Sequence, residues 1–344
     1  MTLPDSPVLR FLIGAAALVV IIAGLHAGAV FFLPLLLALF LTILSLPLLT
    51  WLRAHRFPAS LAIAVTLLAV AAVLGVIGIV LTASVEAVTE ELPAYQERAR
   101  EALAGLVAWF DARGIDAGRW VSLDAIQLSH VVDFVGAAFR GVATLAWNVL
   151  LVLLMMVFML WEAMILPEKL RAAHKESAVD LARMHQLVGR LQHYLILKTL
   201  ISLMVGVTSG LLAWAVGVDF ALFWGFLAFL LHYIPNIGAF LAGVPACLLA
   251  LLQLGPARAL VLALGFLVIN TVFGNLLEPA VMGRGLRLSP LVVFLALVIW
   301  GSIWGALGMI LSVPLTVALR IVFESIESTR WLAALLGRRP RVVA

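Results

Sequence analysis

Phe229-Leu230-Leu231-His232-Tyr233-Ile234-Pro235-Asn236-Ile237-Gly238 sits in the middle of a run, 220–257, in which 38 residues contain no Asp, Glu, Lys or Arg. A helix needs about 20 apolar residues to cross the hydrocarbon core of a bilayer. The run is therefore too long for one crossing, and its centre holds residues that break helices. Pro235 removes a backbone donor and clashes with the turn before it. Gly238 lets the chain leave the helical region. A second run, 288–319, repeats the design over 32 residues: Gly301-Ser302-Ile303-Trp304-Gly305-Ala306-Leu307-Gly308 lies at its centre and Pro314 follows. Secondary transporters often place discontinuous helices at corresponding positions of two repeated units.

The rest of the chain agrees with a membrane setting. Of 344 residues, 65% are hydrophobic and 12% are charged; a soluble domain carries about 25% charged residues. Charges are also missing between Arg10 and Arg53, Arg56 and Glu86, Arg140 and Glu162, and Arg258 and Glu278. Lipid offers the backbone no hydrogen-bond partner, so such runs must be helical. The fold class expected is all-α: a polytopic integral membrane protein with about eight transmembrane helices and two broken or re-entrant segments in the C-terminal half. A sequence pI of 9.7 does not indicate nucleic acid, because the basic residues flank apolar runs. That arrangement is the positive-inside pattern. Ala27-Gly28-Ala29 after the first apolar run resembles a signal-peptidase site, but an equally apolar run from Val30 to Leu52 follows at once. The first run is therefore read as a helix.

Lys and Arg in the loops orient the chain. Residues 1–85 are expected to form helices 1–3, at about 11–26, 29–51 and 58–84, starting from a cytoplasmic N-terminus. Segment 86–140, with nine acids against five arginines, is expected to be an extracytoplasmic helical subdomain. Helix 4 is expected within 141–164, and 165–197 to be a cytoplasmic amphipathic helix. The transport module is expected at 198–325, and 326–344 to be a basic cytoplasmic tail. Each broken run admits two readings. As re-entrant hairpins they make the second unit inverted relative to the first, with Arg284 and Arg287 inside and Arg258 outside. As long kinked helices they make the units parallel and exchange those sides.

Enzyme readings find no support. There is no phosphate-cradling loop ending in Lys-Ser or Lys-Thr, no metal-ligand spacing among the seven histidines and no serine in a nucleophile-elbow setting. No cofactor or metal is expected. The lone Cys247 reads as a small buried hydrophobe. An ionisable group inside the membrane is a functional candidate by default. Glu278, beside Pro279, is the first such candidate for coupling and His232 the second. Asp219 falls in a turn. Asn236, Asn270 and Asn275 can bond an uncharged solute or a freed backbone group. Pro235, Gly238, Gly305 and Gly308 complete the expected transport path by opening the helices. Gly206 and Gly210 read as a helix-packing pair.

These motifs together resemble a known family. The stretch from Phe229 to Gly238 resembles the IPxIG signature of the autoinducer-2 exporter (AI-2E) family. So do Gly274-Asn275-Leu276-Leu277-Glu278-Pro279-Ala280-Val281-Met282-Gly283-Arg284 with Leu288-Ser289-Pro290, and Trp304-Gly305-Ala306-Leu307-Gly308-Met309 with Ser312-Val313-Pro314-Leu315. The resemblance implies an eight-helix bacterial inner-membrane protein with both termini cytoplasmic. It implies export of the quorum-sensing signal autoinducer-2, a small polar furanone-type molecule, by an elevator-type movement. Its implied partners are that solute, the lipid bilayer and further copies of the chain, as a pentamer. It also admits sodium/proton antiport, the activity assigned to some relatives. A non-transporting scaffold that uses 86–140 to bind a partner is a third reading of the sequence. His232 departs from the family pattern, standing where many relatives carry Asn. A histidine there can titrate near neutral pH.

Overall fold

The computed structural model describes residues 7–114, 149–173, 178–235, 237–282 and 288–337. Asn236, most of the segment after residue 114, Arg284, Arg287 and the basic tail lie outside the described residues. The described chain is helical, with one isolated antiparallel bridge between Leu288 and Gly337. The helices are α1 (Pro7–Ala27), α2 (Ala29–Ala54), α3 (Ala59–Asp111), α4 (Val149–Ala173), α5 (Ala178–Val216), α6 (Ala221–Leu231), α7 (Gly238–Leu254), α8 (Pro256–Ile269), a π-helical segment π1 (Asn270–Leu277), α9 (Glu278–Met282), α10 (Pro290–Ser325) and α11 (Arg330–Leu336). Six helices among the described residues are long and apolar enough to cross a membrane. Large apolar side chains on them, such as Leu150, Ile79 and Trp214, are exposed, as lipid-facing residues are. This is an all-α polytopic membrane protein.

The chain divides into two compact units. One comprises Met1–Leu68, Leu150–Gln192 and Leu286–Ala344; the other comprises Ala69–Val149 and His193–Gly285. In the first unit, α10 is interrupted at Gly305, whose φ of 64° and ψ of −144° lie outside the helical region. Residues on either side of this point meet in pairs. Trp300 Nε1 donates to Thr316 Oγ1 at 3.2 Å, and Gly308 lies so close to the Trp300 carbonyl that a Cβ there would overlap it. Pairs centred near residue 305 mean that the chain doubles back. The tip is tied to the end of α1: Trp304 Nε1 donates to the Leu25 carbonyl at 3.0 Å, and His26 Nδ1 donates to the Ile303 carbonyl at 2.9 Å.

The second unit holds the other hairpin, made of α6 and α7. Its break follows from Pro235, which disfavours a helical residue before it and supplies no donor. Tight turns close it: Ile234 N donates to the Leu231 carbonyl at 2.8 Å, and Gly238 N to the Ile234 carbonyl at 3.2 Å. Gly238 rests directly on the Leu231 carbonyl, leaving no room for a side chain. Phe223 and Trp224 of α6 pack in one cluster with Ala246 and Ala250 of α7. Ala228 packs with Ala242. All these pairs are centred near residue 235, so α6 and α7 are antiparallel. Both broken runs are thus hairpins, and the kinked-helix alternative does not describe them. Gly206 of α5 and Gly225 of α6 let the two backbones touch: a Cβ on either glycine would meet the other's carbonyl at 2.8 Å.

The open end of this hairpin meets α3. That helix runs 53 residues without a break, about 80 Å at 1.5 Å per residue, although its apolar part ends at Ser84. The helix therefore continues well past the end expected for helix 3 at about residue 84. Glu86, Glu90 and Glu91 have good helix propensity, and the helix continues through Pro93 to Asp111. The Tyr95 hydroxyl lies 2.6 Å from both Glu91 Oε2 and Asp219 Oδ2. Asp219 is anchored further, its N–H donating to Gln253 Oε1 and its carbonyl accepting from Trp224 Nε1. Asp219 thus falls in a turn, as expected, and is a half-buried anchor of the hairpin. Burial raises the Tyr95 phenol well above its ordinary range, and its hydrogen bonds to Asp219 and Glu91 raise it further. A raised folded-state value favours folding below the unfolded tyrosine value of about 10. Above that pH the unfolded chain releases the proton first, and the stabilisation declines. Thermal unfolding in detergent between pH 8 and 11 should show a stability loss at the alkaline end that is smaller in Tyr95→Phe.

Candidate functional site

Three ionisable side chains from three segments of the second unit converge in its interior. Lys198 lies on α5 at the start of an apolar stretch and is 4% exposed. Its Nζ donates to Glu278 Oε1 at 2.8 Å and to Oε2 at 2.9 Å. His232 follows the last residue of α6 and is 7% exposed. Its Nε2 lies 3.3 Å from Glu278 Oε2, yet it is out of line for a hydrogen bond and has no other partner. We read this contact as electrostatic proximity. Tyr233 is buried beside it and donates to Thr199 Oγ1 at 2.6 Å. Tyr194 lies within electrostatic reach of Glu278 and Tyr233.

Local sequence explains how Glu278 arrives there. Pro279 has no N–H, so the ordinary bond from residue 279 to the Asn275 carbonyl cannot form. The eight residues before Glu278 adopt π geometry, and the Glu278 N–H bonds to the Phe273 carbonyl, five residues back. A π segment inside a helix shifts the faces that follow it and is common at functional sites. Here it turns Glu278 toward Lys198. Removing either charge would leave the other buried without a partner.

The expected site residues fall into separate groups. His232 and Asn270 line one small cleft with Val205, Ser209, Ala228 and Phe266. Gly274 lies over them: a Cβ there would sit 3.1 Å from Asn270 Oδ1 and 3.7 Å from His232 Cε1. Glu278 adjoins His232, while Pro279 and Asn275 are exposed. Pro235 and Gly238 form the tip of the α6–α7 hairpin. Gly305 and Gly308 form the turn of the α10 hairpin in the first unit. Asn236 lies outside the described residues. Sequence reasoning does not single out Lys198, which stands at the end of a basic segment where a loop boundary also calls for a lysine. Its signal was the stripe Lys198, Ser202, Val205 and Ser209, which shares one helical face.

Comparison with known proteins follows the same stretch of chain. The family model described as AI-2E family transporter matches residues 16–328. The chain is 39% identical over 338 residues to YhhT of Escherichia coli K12, named only provisionally as a transport protein, with 97% of this chain and 96% of that protein covered. It is 36% identical over 336 residues to the AI-2 transport protein TqsA of Escherichia coli K12, covering 96% of each. It is 34% identical over 336 residues to a provisionally named transport protein of Haemophilus influenzae, covering 95% of this chain and 96% of that protein.

Breaking a buried ion pair from one side typically costs about 3–5 kcal/mol, whereas replacing both partners by apolar groups is often neutral. Lys198→Met alone and Glu278→Leu alone should therefore lower the melting temperature in detergent strongly. The double variant should recover most of the loss. A double variant as unstable as the sum of the two would show that the charges do not act as a pair.

Proposed function

The chain belongs to the AI-2E transporter family, and from that premise we propose that it exports a small uncharged polar metabolite, autoinducer-2 or a chemically similar signal, across a bacterial inner membrane. The observation that carries this reading is the cluster of Lys198, Glu278 and His232 beside two irregular backbone segments. Irregular backbone at membrane depth is tolerated where it is buried in protein or lines a cavity. The substrate class follows from the name of TqsA and from the charge balance. Lys198 neutralises Glu278, so the surroundings favour a neutral ligand bound by His232 and Asn270.

The mechanism proposed is an elevator-type alternating access in which the α6–α7 hairpin, π1 and the spanning part of α5 move with the solute. In this reading the apolar stretch from Pro256 to Val281 crosses the membrane once. The Lys and Arg of the loops favour a cytoplasmic position for both termini. Assembly as a homo-oligomer, a pentamer by the resemblance, belongs to the same proposal. The alternative, cation/proton antiport, requires an acid free to exchange a proton for a cation. Among the described residues Glu278 is the acid set beside the buried Lys198, and both its oxygens are already within 3 Å of Lys198 Nζ, which favours solute export.

Purified protein in liposomes should give saturable autoinducer-2 flux well above protein-free vesicles, with no obligatory exchange of sodium for protons. Sodium-driven proton movement, without flux of autoinducer-2 or of a panel of neutral polar metabolites, would replace export by antiport.

A further inference from the structure

The hydroxyls of α5 divide into two kinds. Thr199 and Thr208 back-bond in the way usual for helices, donating to the Leu195 and Met204 carbonyls at 2.8 and 2.7 Å. Ser202 and Ser209 are completely buried, yet neither hydroxyl has a hydrogen-bond partner. They lie seven residues apart on the stripe that begins at Lys198. Ser209 faces the cleft lined by His232 and Asn270, and His232 Nε2 is also without a hydrogen bond. Buried polar atoms in native proteins are nearly always bonded, to protein or to water. Two residues that line one cleft each carry a buried polar atom without a hydrogen bond, and this calls for a ligand.

The cleft defines what that ligand is. It has about 10 Å³ of room for the centre of a water molecule, the size of a single-water site. A serine hydroxyl and an asparagine side chain each donate and accept, and a neutral imidazole nitrogen does one or the other. None of these lining groups supplies a full charge while His232 is neutral, and the nearest full charges, Lys198 and Glu278, cancel each other. We propose that the cleft between Ser209, Asn270 and His232 binds one uncharged hydroxyl group. Its source is a resident water or a hydroxyl of a transported solute; the second source rests on the transport reading and the first does not.

Ser209→Ala removes the hydroxyl with little change in volume. In a dry cleft this raises the melting temperature in detergent, because an unsatisfied buried group is gone. With a bound hydroxyl ligand the melting temperature falls. Tritiated glycerol, as a small polyol probe, is then followed into proteoliposomes of both proteins. A solute hydroxyl raises the glycerol KM several-fold at unchanged maximal rate, and Asn270→Ala does the same. A resident water gives a lower melting temperature with unchanged glycerol kinetics. A lower melting temperature with no glycerol uptake by the wild type still supports the water site and counts against transport of the probe alone. An unchanged or raised melting temperature without a raised glycerol KM overturns the proposal.

Discussion

A lysine and a glutamate held 2.8 Å apart inside an apolar helical unit set the terms for everything around them. Each charge removed from water costs several kcal/mol, and only close mutual approach with good hydrogen bonds offsets this. The pair therefore fixes the relation between α5 and the end of π1. It demands that Glu278 face inward, which an uninterrupted α-helix through Pro279 would not provide. It also sets the field felt by His232, whose ring stands against the same carboxylate. The cluster carries no net charge while the histidine is neutral. The interior beside it can then accept a polar molecule without importing a charge.

The chain makes two hairpins, one in each unit, and they turn by different means. The α6–α7 hairpin turns at Pro235, where a donor is lost and the preceding residue is pushed out of the helix. The α10 hairpin turns at Gly305 through a positive φ that side chains rarely adopt. Both use a second glycine, Gly238 or Gly308, set directly against a carbonyl of the incoming helix. The shared requirement is a close backbone reversal between two apolar helices. Proline and glycine meet it in the first hairpin and glycine alone in the second.

Much of the fold was legible because membranes impose simple rules. Charge-free runs of known length had to be helices, and residues placed at the middle of over-long runs had to mark interruptions. The broken runs admit hairpins or kinked helices on sequence alone, and side-chain pairing about residues 235 and 305 selects the hairpins. The length of α3 was not legible, because the change from apolar to acidic sequence after Ser84 alters what surrounds a helix but does not end it. In the site, Glu278 and His232 stood out as rare polar groups in apolar surroundings. Lys198 did not, because a lysine next to a basic segment is also what a loop boundary requires. Only its burial separates the two meanings. The serines of α5 were invisible for a related reason: a helical serine usually bonds its own backbone, and whether it does depends on three-dimensional packing.

The central claim is that Lys198 and Glu278 act as one neutral pair on which transport depends. The most direct measurement is autoinducer-2 flux in proteoliposomes, per folded protein, for Lys198→Glu, Glu278→Lys and the exchanged double variant. The account predicts that each single substitution abolishes flux, since it buries two like charges together, and that the exchanged pair restores a measurable part of it. Flux at the wild-type level in the folded Glu278→Lys protein would contradict the claim.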